Sequence, residues 1–339
     1  MGKQALVSVV LPAYNSELYI GEAIHSLLEQ SYSNFELIII NDGSTDTTEA
    51  IISSFEDKRI RYYFNEKNLG LIATLNRGID LCTGEFIVRM DADDMSLYRR
   101  IEKQVDFMQR HPEIAVAGSW YYAFTMENGV EVKGQTDPEI LKSTLLFNTC
   151  LCHPATIIRK SVLDKYNFKY DPAYTNLEDY ELWLRISKVA QLSNVPEFLF
   201  RYRSHDTQIS KLHNAHQKEL ADSLRSRYLK EMGFVFSENE LSIHNLVAGN
   251  IFITSKEQLN QIDKWLVNLI QQNNQLKSFD QKAFNFVIAR HWADSCGYTN
   301  LGVYAYFRFF KSGLKKFYPL GISGSLKLLG KCILRRSKD

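Results

Sequence analysis

The 339-residue sequence lacks the features that mark secreted and membrane-spanning proteins. Its five cysteines are an odd number that does not fit a disulfide framework; they are Cys82, Cys150, Cys152, Cys296 and Cys332. Cys150 and Cys152, with His153 adjacent, are spaced more closely than a usual zinc site and have no second pair, so we interpret them as ordinary thiols. No stretch approaches the roughly 18 uncharged apolar residues of a spanning helix, and no signal peptide precedes the first apolar segment. We therefore expect a cytoplasmic protein.

Two phosphate-binding motifs are also missing. No Gly-x-Gly-x-x-Gly turn follows the first apolar segment, which argues against a dinucleotide-dependent dehydrogenase, and there is no Walker Gly-Lys-Ser/Thr turn. Residues 1–302 contain 31 basic and 38 acidic residues, a net charge of −7. Together with the absence of a nucleic-acid-binding motif, this charge argues against a nucleic acid as partner.

What the sequence does contain is a regular alternation of apolar segments and helix-period segments in residues 6–90. It predicts strands at 6–11, 35–40, 59–64 and 85–90, and helices at 17–30, 45–55 and 69–81. This alternation predicts an α/β fold with a mostly parallel, doubly wound sheet. Further predicted elements are helices at 97–109, 176–189, 216–232, 256–273 and 280–294, strands at 114–120 and 198–202, and a hairpin at 128–129.

Composition divides the chain into an α/β domain at 1–212, a helical region at 213–302 and a basic amphipathic tail at 303–339. The tail has nine basic residues and one acidic residue, mixed with aromatic and aliphatic ones. This mixture predicts one or two helices at an anionic membrane surface, and the protein would then be peripheral on the inner face of the cell membrane. The alternative is an ordinary terminal helix whose apolar face packs on the domain at 1–212.

Polar residues follow three of the predicted parallel strands, where open α/β sheets bind ligands. The three segments are Pro12-Ala13-Tyr14-Asn15, Asn41-Asp42-Gly43-Ser44 and Asp91-Ala92-Asp93-Asp94. Asp91 and Asp93 can face one divalent ion, and carboxylate oxygens suit Mg²⁺ or Mn²⁺. The alternative is a solvated acidic loop. Such an ion would bind the diphosphate of a nucleoside diphosphate. Tyr14 could then stack on the base, and Asp42 could accept from a base N–H. The alternative for Asp42 is a cap on the turn at Ser44 and Thr45.

A second group of acids lies in the first turn of the helix predicted at 176–189. It consists of Glu178, Asp179 and Glu181. Acidic side chains there are stabilised by the helix dipole, which is the structural alternative to a catalytic role.

Seven segments in order resemble the family 2 glycosyltransferases of the GT-A fold, over residues 6–210. They are 7–15, 41–48, Asn68-Leu69-Gly70, Asn76-x-Gly78, Thr83-Gly84-Glu85, 91–94 and Glu178-Asp179. The chain looks most like bacterial enzymes that build capsule, O-antigen or similar surface polysaccharides. The resemblance implies a Rossmann-like, mostly parallel sheet flanked by helices, with a C-terminal helical region. It also implies metal-dependent, inverting transfer from a nucleotide-diphosphate sugar, usually a UDP-sugar, to a growing, lipid-linked glycan.

The resemblance further implies roles for individual residues. The donor-binding residues would be Pro12, Ala13, Tyr14, Glu17, Asp42, Asn68, Gly70, Arg89, Asp91, Ala92 and Asp93. Asp93 would bind Mn²⁺ or Mg²⁺ directly, with Asp91 nearer the ribose. Asp179 would be the general base for the acceptor hydroxyl, with Glu178 beside it. His153 would lie near the acceptor or the diphosphate, or else be structural.

The sequence departs from the family pattern in two places. Leu75 stands where many relatives have an arginine that reaches the diphosphate, and Arg89 is a possible substitute. The Gln-x-x-Arg-Trp motif of processive synthases is missing, which favours transfer of one sugar per encounter. Two other functions stay open: a sugar-1-phosphate nucleotidyltransferase, whose usual Gly-rich basic loop is absent here, and a non-catalytic scaffold of a polysaccharide assembly complex.

Overall fold

The computed structural model describes residues 4–125, 128–204 and 215–334, which form two compact units. The first unit comprises Met1–Pro138 and Cys150–Lys218, and the second comprises Glu139–Thr149 and Glu219–Asp339. The second unit thus includes a short segment that interrupts the first in sequence. The domain boundary predicted at 212 lies outside the described residues.

One nine-stranded sheet forms the centre of the first unit. Its parallel half has the order β3-β2-β1-β4, with β1 at Val7–Ala13, β2 at Phe35–Asn41, β3 at Ile60–Phe64 and β4 at Phe86–Arg89. Every residue of β1 and β4 is buried, on both faces of the sheet. Such two-sided burial is typical of parallel strands covered by helices, and these four strands confirm the predicted arrangement.

The other half of the sheet is mixed, and its order continues from β4 as β8-β6-β9-β5. These strands are β5 at Met95–Ser96, β6 at Ile114–Phe124, β7 at Gly129–Val132, β8 at Ile157–Arg159 and β9 at Gln191–Arg203. The antiparallel pairing of β6 with β7 confirms the hairpin predicted at 128–129. β9 is longer than the predicted 198–202. Its first half contains Ser193 and Asn194, whose side chains bond the carbonyl oxygens of Thr136 and Gln135.

Thirteen α-helices occur in the described residues. In chain order they are α1 Ile20–Leu28, α2 Thr48–Ser53, α3 Leu71–Leu81, α4 Arg100–Arg110, α5 Pro138–Thr144, α6 Lys160–Tyr166, α7 Glu178–Ile186, α8 Ala215–Glu231, α9 Glu238–Ala248, α10 Lys256–Leu276, α11 Gln281–Gly297, α12 Val303–Lys311 and α13 Ile322–Leu334. The first four and α7 begin two or three residues later than predicted. Before α1 and α2, the residues predicted as helical instead bond one loop to the other, as when Glu17 accepts from the N–H of Thr47.

Helix α3 approaches β1 closely through a glycine. A Cβ atom on Gly78 would lie 2.5 Å from Cγ1 of Val10, closer than carbon atoms tolerate. Any larger residue would push the helix away from the strand. This packing explains the glycine in the Asn76-x-Gly78 segment.

The second unit is a helical assembly around large aromatic side chains, among them the fully buried Trp265 and Phe284. His244 is also completely buried in it. Its Nε2 lies 2.9 Å from the carbonyl oxygen of Leu146, and its Nδ1 accepts a hydrogen bond from Trp265 Nε1 at 3.3 Å. These two partners require a neutral ring with its proton on Nε2.

The predicted tail consists of two helices, α12 and α13, that both pack against α11 of the same unit. Ala305, Phe309, Leu328 and Cys332 are buried in this packing. These side chains are covered by protein, and the predicted membrane contact of the tail stays a prediction. None of the described helices is both long enough and apolar enough to cross a membrane.

We expect acid to destabilise the second unit through His244. Burial lowers the pKa of this histidine to about 4, against an ordinary value of 6.5. Between these two pH values the unfolded state binds a proton that the folded state excludes. The free energy of unfolding should therefore be unaffected by His244 above pH 6.5 and fall by about 1.4 kcal/mol per pH unit below it, until about pH 4.

Urea unfolding from pH 7.5 to pH 4.5 measures this loss, and the His244→Gln variant is the comparison. Its free energy of unfolding should decline less steeply with falling pH than that of the wild type. His25→Gln, which changes an exposed histidine, should retain the wild-type slope. Equal slopes for wild type and His244→Gln would contradict the assignment.

Candidate active site

The three polar segments predicted to converge do meet at one edge of the sheet. The register pairs Ala13 at the end of β1 with Asn41 at the end of β2, and it pairs Val10 with Arg89 at the end of β4. Pro12 and Ala13 are themselves the last residues of β1 and are buried. The residues that follow these strands therefore lie next to one another.

The first two loops are joined by hydrogen bonds. Asn15 adopts a left-handed conformation with φ of 45°. Its side-chain oxygen accepts from the backbone N–H of Thr45 at 2.9 Å. Glu17 accepts from the backbone N–H of Thr47 at 3.1 Å. Tyr14 directly precedes Asn15, and 46% of its surface is exposed, so its ring is available for stacking.

Asp42 organises the loop before α3. One oxygen of its buried carboxylate accepts from Asn65 Nδ2 at 2.7 Å and from the N–H of Leu69 at 2.9 Å. The other accepts from the N–H of Gly70 at 2.9 Å. The side chain of Asn68 accepts from the same Gly70 N–H at 2.8 Å. These bonds explain why the Asn68-Leu69-Gly70 segment accompanies Asp42.

The sequence-based alternative for Asp42, a cap on the turn at Ser44 and Thr45, is wrong. Two asparagines bond this turn: Asn41 Oδ1 accepts from the N–H of Ser44 at 3.0 Å, and Asn15 Oδ1 accepts from the N–H of Thr45 at 2.9 Å. Asp42 is directed to residues 65–70 instead.

Asp91, Asp93 and Asp94, here called the aspartate cluster, follow β4, and one carboxylate oxygen of each lies within 4.8 Å of the others. Asp94 is almost fully buried. Its Oδ1 accepts from the backbone N–H of Arg203 at 2.8 Å, whereas its Oδ2 has no hydrogen-bond partner among the described residues. Burial, reinforced by the charges of Asp91 and Asp93, raises the pKa of Asp94 well above its ordinary value. Ala92 is buried between the first two aspartates.

The residues of the aspartate cluster fit a divalent cation. Carboxylates are the hard oxygen ligands that Mg²⁺ and Mn²⁺ prefer. An unpaired, buried oxygen on Asp94 and mutual repulsion within the cluster are both relieved by a bound positive charge. Asp94 was part of the predicted motif but was not assigned a role from the sequence.

Arg89 supplies the positive charge nearest to the aspartate cluster. It is buried at the end of β4 and forms an ion pair with Asp91. Its Nε has no hydrogen-bond partner in the described part of the chain. Leu75, which replaces the arginine of many relatives, is buried in the core instead. Burial and Asp93 raise the pKa of Asp91, although Arg89 acts against them.

Glu178 and Asp179, here called the acid pair, begin α7. Burial, followed by the charge of Asp179, raises the pKa of Glu178 to about 7. Arg89 and Asp91 also act on Glu178 electrostatically, so the acid pair lies within range of the aspartate cluster. Glu181 is different, because its carboxylate is paired with Arg185 in the next turn of the helix.

His153 lies in a 3₁₀ turn, His153–Ala155, and is largely buried. Its Nε2 lies 2.8 Å from the hydroxyl of Tyr170, and its Nδ1 lies 3.9 Å from Glu178 Oε1. Burial and the nearby Arg89 lower the pKa of His153 well below its ordinary value, which keeps the ring neutral. Contact of His153 with acceptor or diphosphate stays a prediction.

Arg100 is a residue that the sequence did not mark. It begins α4 and is completely buried, and its guanidinium donates to the carbonyl oxygens of Arg89 at 2.8 Å and Pro154 at 2.9 Å. Burial lowers its pKa to about 9. Arg100 thus joins the strand before the aspartate cluster to the turn of His153. In the helical pattern it looks like any surface arginine, so no sequence signal distinguishes it.

A Rossmann-like sheet with a carboxylate cluster at its strand ends, and without a glycine-rich phosphate loop, is characteristic of GT-A nucleotide-sugar transferases. The family model for "Glycosyl transferase family 2" matches residues 8–166. An uncharacterized glycosyltransferase of Haemophilus influenzae is 34% identical, over 77% of this chain and 88% of its own. The chain belongs to glycosyltransferase family 2 and is a glycosyltransferase that uses a nucleotide sugar.

Two further comparisons add to this assignment. WfgD of Escherichia coli, named UDP-Glc:alpha-D-GlcNAc-diphosphoundecaprenol beta-1,3-glucosyltransferase, is 30% identical over 60% of this chain and 79% of its own. The crystal structure of Staphylococcus aureus TarS 1–349 in complex with UDP-GlcNAc has a TM-score of 0.58 at 17% identity, and the match covers 86% of this chain and 91% of that chain. The likeness to the TarS structure confirms the predicted fold, a GT-A-like α/β sheet with a C-terminal helical region.

We expect Asp94→Asn to stabilise the protein without metal and to weaken its response to metal. Asparagine retains an acceptor for the Arg203 N–H but removes one of three repelling charges. In EDTA at pH 7.5 the variant should melt above the wild type by roughly 2–4 °C for each kcal/mol of repulsion removed. Mn²⁺ should then raise the melting temperature of the wild type more than that of the variant.

Differential scanning fluorimetry measures both effects. Asp106→Asn removes an exposed carboxylate from α4 and serves as the matched control, which should respond to Mn²⁺ like the wild type. A variant Asp94→Asn that melts below the wild type in EDTA and gains as much from Mn²⁺ would contradict a metal role for this carboxylate.

Proposed function

We propose that this protein transfers one sugar from a UDP-sugar to a lipid-linked glycan, with inversion at the anomeric carbon. The observation that carries the proposal is the presence of two separate acid groups near one edge of the sheet, the aspartate cluster and the acid pair. An inverting transfer needs positive charge on the side of the leaving diphosphate and a carboxylate on the side of the acceptor. Family membership favours this function over a nucleotidyltransferase or a scaffold.

On the donor side, the proposal assigns the nucleoside to Pro12, Ala13, Tyr14, Glu17 and Asp42. Asp93 and Asp91 would hold Mn²⁺ or Mg²⁺, which when bound would neutralise charge on the leaving diphosphate. The exposure of Tyr14 supports stacking on the base. Asp42 fixes Leu69 and Gly70 by their N–H groups, and Asn68 bonds the same Gly70 N–H, so Asn68 and Gly70 would shape the pocket together with Asp42.

Arg89 is the proposed diphosphate contact in place of the arginine missing at position 75. Its buried guanidinium has an Nε–H without a partner among the described residues, and a buried donor of this kind is costly unless a ligand accepts from it. An oxygen of the diphosphate is a suitable acceptor, because arginine binds such groups through charge-assisted hydrogen bonds.

On the acceptor side, Asp179 is the proposed general base. It would take the proton from the acceptor hydroxyl while that oxygen forms a bond to the anomeric carbon and the bond from this carbon to UDP breaks. Glu178 has a pKa of about 7 and stays partly protonated at neutral pH, which limits the negative charge beside Asp179.

The acceptor is inferred from a relative. WfgD is named for transfer to a sugar on diphosphoundecaprenol, and this chain is 30% identical to WfgD. We infer a lipid-linked acceptor in the assembly of a surface polysaccharide, such as capsule or O-antigen, at the inner face of the cell membrane. Without the processive motif, one sugar is added per encounter.

We further infer that α12 and α13 contact the membrane. Large apolar side chains are exposed on them, in particular Phe307 on α12 and Ile322, Leu326 and Ile333 on one side of α13. Residues 303–334 contain no acidic residue. Five lysines are exposed in this segment, at positions 311, 315, 316, 327 and 331. An apolar stripe with lysines beside it fits the interface of an anionic lipid bilayer. Arg335, Arg336 and Lys338 lie outside the described residues.

Turnover tests the catalytic proposal. A panel of UDP-, GDP- and dTDP-sugars is screened for Mn²⁺-dependent thermal shift and nucleotide release, and a UDP-sugar is the expected donor. Asp179→Asn should then release UDP roughly 10²–10⁴-fold more slowly, because general-base catalysis contributes that much. Its affinity for UDP with Mn²⁺, measured by calorimetry, should be that of the wild type.

Two results would change the assignment of the base. Near wild-type turnover of Asp179→Asn, with an inactive Glu178→Gln, would move the base to Glu178. Normal turnover of both variants would remove α7 from the mechanism. A donor panel in which no sugar nucleotide is bound or cleaved would contradict the proposed function itself.

Vesicle sedimentation tests the membrane contact. The wild type should bind vesicles that contain phosphatidylglycerol and not vesicles of phosphatidylcholine alone. Each lysine near such a surface contributes about 1 kcal/mol, so Lys327→Glu with Lys331→Glu should reduce binding by at least about 30-fold. Lys264→Glu with Lys230→Glu changes two exposed lysines elsewhere in the second unit and should have little effect. Equal binding of the two double variants would contradict the assigned surface.

A further inference from the structure

Asn76 holds the backbone of Tyr170 through two hydrogen bonds. The Nδ2 of Asn76, in α3, donates to the carbonyl oxygen of Tyr170 at 2.8 Å, and its Oδ1 accepts from the Tyr170 N–H at 2.9 Å. One side-chain amide thus satisfies both polar groups of a residue 94 positions away. A backbone segment held in this way has little freedom to shift along or away from α3.

Tyr170 in turn holds His153. The tyrosine is almost completely buried, and its hydroxyl oxygen lies 2.8 Å from His153 Nε2. Because the buried ring of His153 is neutral, one of its nitrogens donates and the other accepts. The hydroxyl can accept from a protonated Nε2 or donate to an unprotonated one, so it fixes the ring orientation in both cases.

His153 then faces the acid pair. Its Nδ1 lies 3.9 Å from Glu178 Oε1, too long for a hydrogen bond but close enough for the ring to define one wall beside the carboxyl. Trp183, also on α7, packs edge-on against the same ring with centroids 6.0 Å apart. The ring is therefore confined on three sides, by Tyr170, Trp183 and Glu178.

We propose that Asn76, Tyr170 and His153 act together as a positioning support for the acid pair. His153 then works through Glu178, which is the structural alternative to its predicted contact with acceptor or diphosphate. The inference rests on the proposed function, in which Asp179 is the base. The support joins α3, which begins directly after the loop of Asn68 and Gly70, to the first turn of α7. It would keep the acid pair at a fixed place relative to the donor-binding edge, and misplacement by about 1 Å can cost roughly 10²-fold in rate.

Tyr170→Phe tests the support, since it removes one hydroxyl and retains the ring. We expect the maximal rate of UDP release to fall roughly 10-fold to 100-fold. The KM for the UDP-sugar and the affinity for UDP with Mn²⁺ should stay at wild-type values, because the donor loops are unchanged. A residue that merely stabilises the fold would not separate kcat from donor binding in this way.

Tyr32→Phe is the matched control. Tyr32 is buried to a similar degree, and its hydroxyl donates to the carbonyl oxygen of Ala5, which precedes β1 at the opposite end of the sheet. Both variants should lose a similar small amount of stability, because each loses one hydrogen bond. Only Tyr170→Phe should lose turnover. Equal kcat values for the two variants, or a parallel loss of UDP affinity in Tyr170→Phe, would overturn the proposal.

A measurement on the resting protein separates this inference from the proposed function. In protein with ¹⁵N-labelled histidine, the ring signals of His153 are identified by their absence in His153→Gln. Tyr170→Phe should shift the Nε2 signal and Glu178→Gln the Nδ1 signal. Unchanged signals in both variants would overturn the support even if the enzyme is active. Shifted signals in a protein that cleaves no sugar nucleotide would retain the support and reject the proposed function.

Discussion

The parallel pairing of β1 with β2 and β4 is the constraint on which the candidate site depends. The register brings the ends of these strands to one edge, and the hydrogen bonds of Asp42 and Asn15 then fix the loops that leave them. The polar side chains of these loops are therefore already bonded before any ligand is present. A site held in this way loses little conformational freedom when a ligand binds, which favours affinity.

At the same edge of the sheet, the acidic side chains outnumber the basic side chains that could neutralise them. Arg89 is shared by an aspartate cluster and an acid pair, and the pKa values of Asp91, Asp94 and Glu178 are all raised as a result of burial and of neighbouring carboxylates. Repulsion of this kind reduces folding stability and is therefore retained only where function requires it. The arrangement suits a site that receives cations and gives up protons.

The sequence was sufficient for features that depend on local pattern. The buried apolar residues of β1 and β2 predicted the parallel sheet, and the spacing of Asp91 and Asp93, with the family resemblance, identified the candidate metal ligands. The early part of β9 could not be predicted, because Ser193 and Asn194 become compatible with burial only through bonds to residues nearly 60 positions away. The contacts of Tyr170 and Arg100 could not be predicted either, because their partners come together only in the folded chain.

The segment 139–149 has a consequence for how this chain is made. It leaves the ribosome before the last strands of the sheet, yet Leu146 and Phe147 are completely buried, and Phe147 offers its carbonyl oxygen to Arg225. At ~5–20 residues per second, its partners between 225 and 248 are synthesised on the order of ten seconds later. During that interval an apolar segment is exposed on an otherwise foldable sheet domain. The nascent chain therefore carries this apolar segment without its native partners until the helices of the second unit have been synthesised.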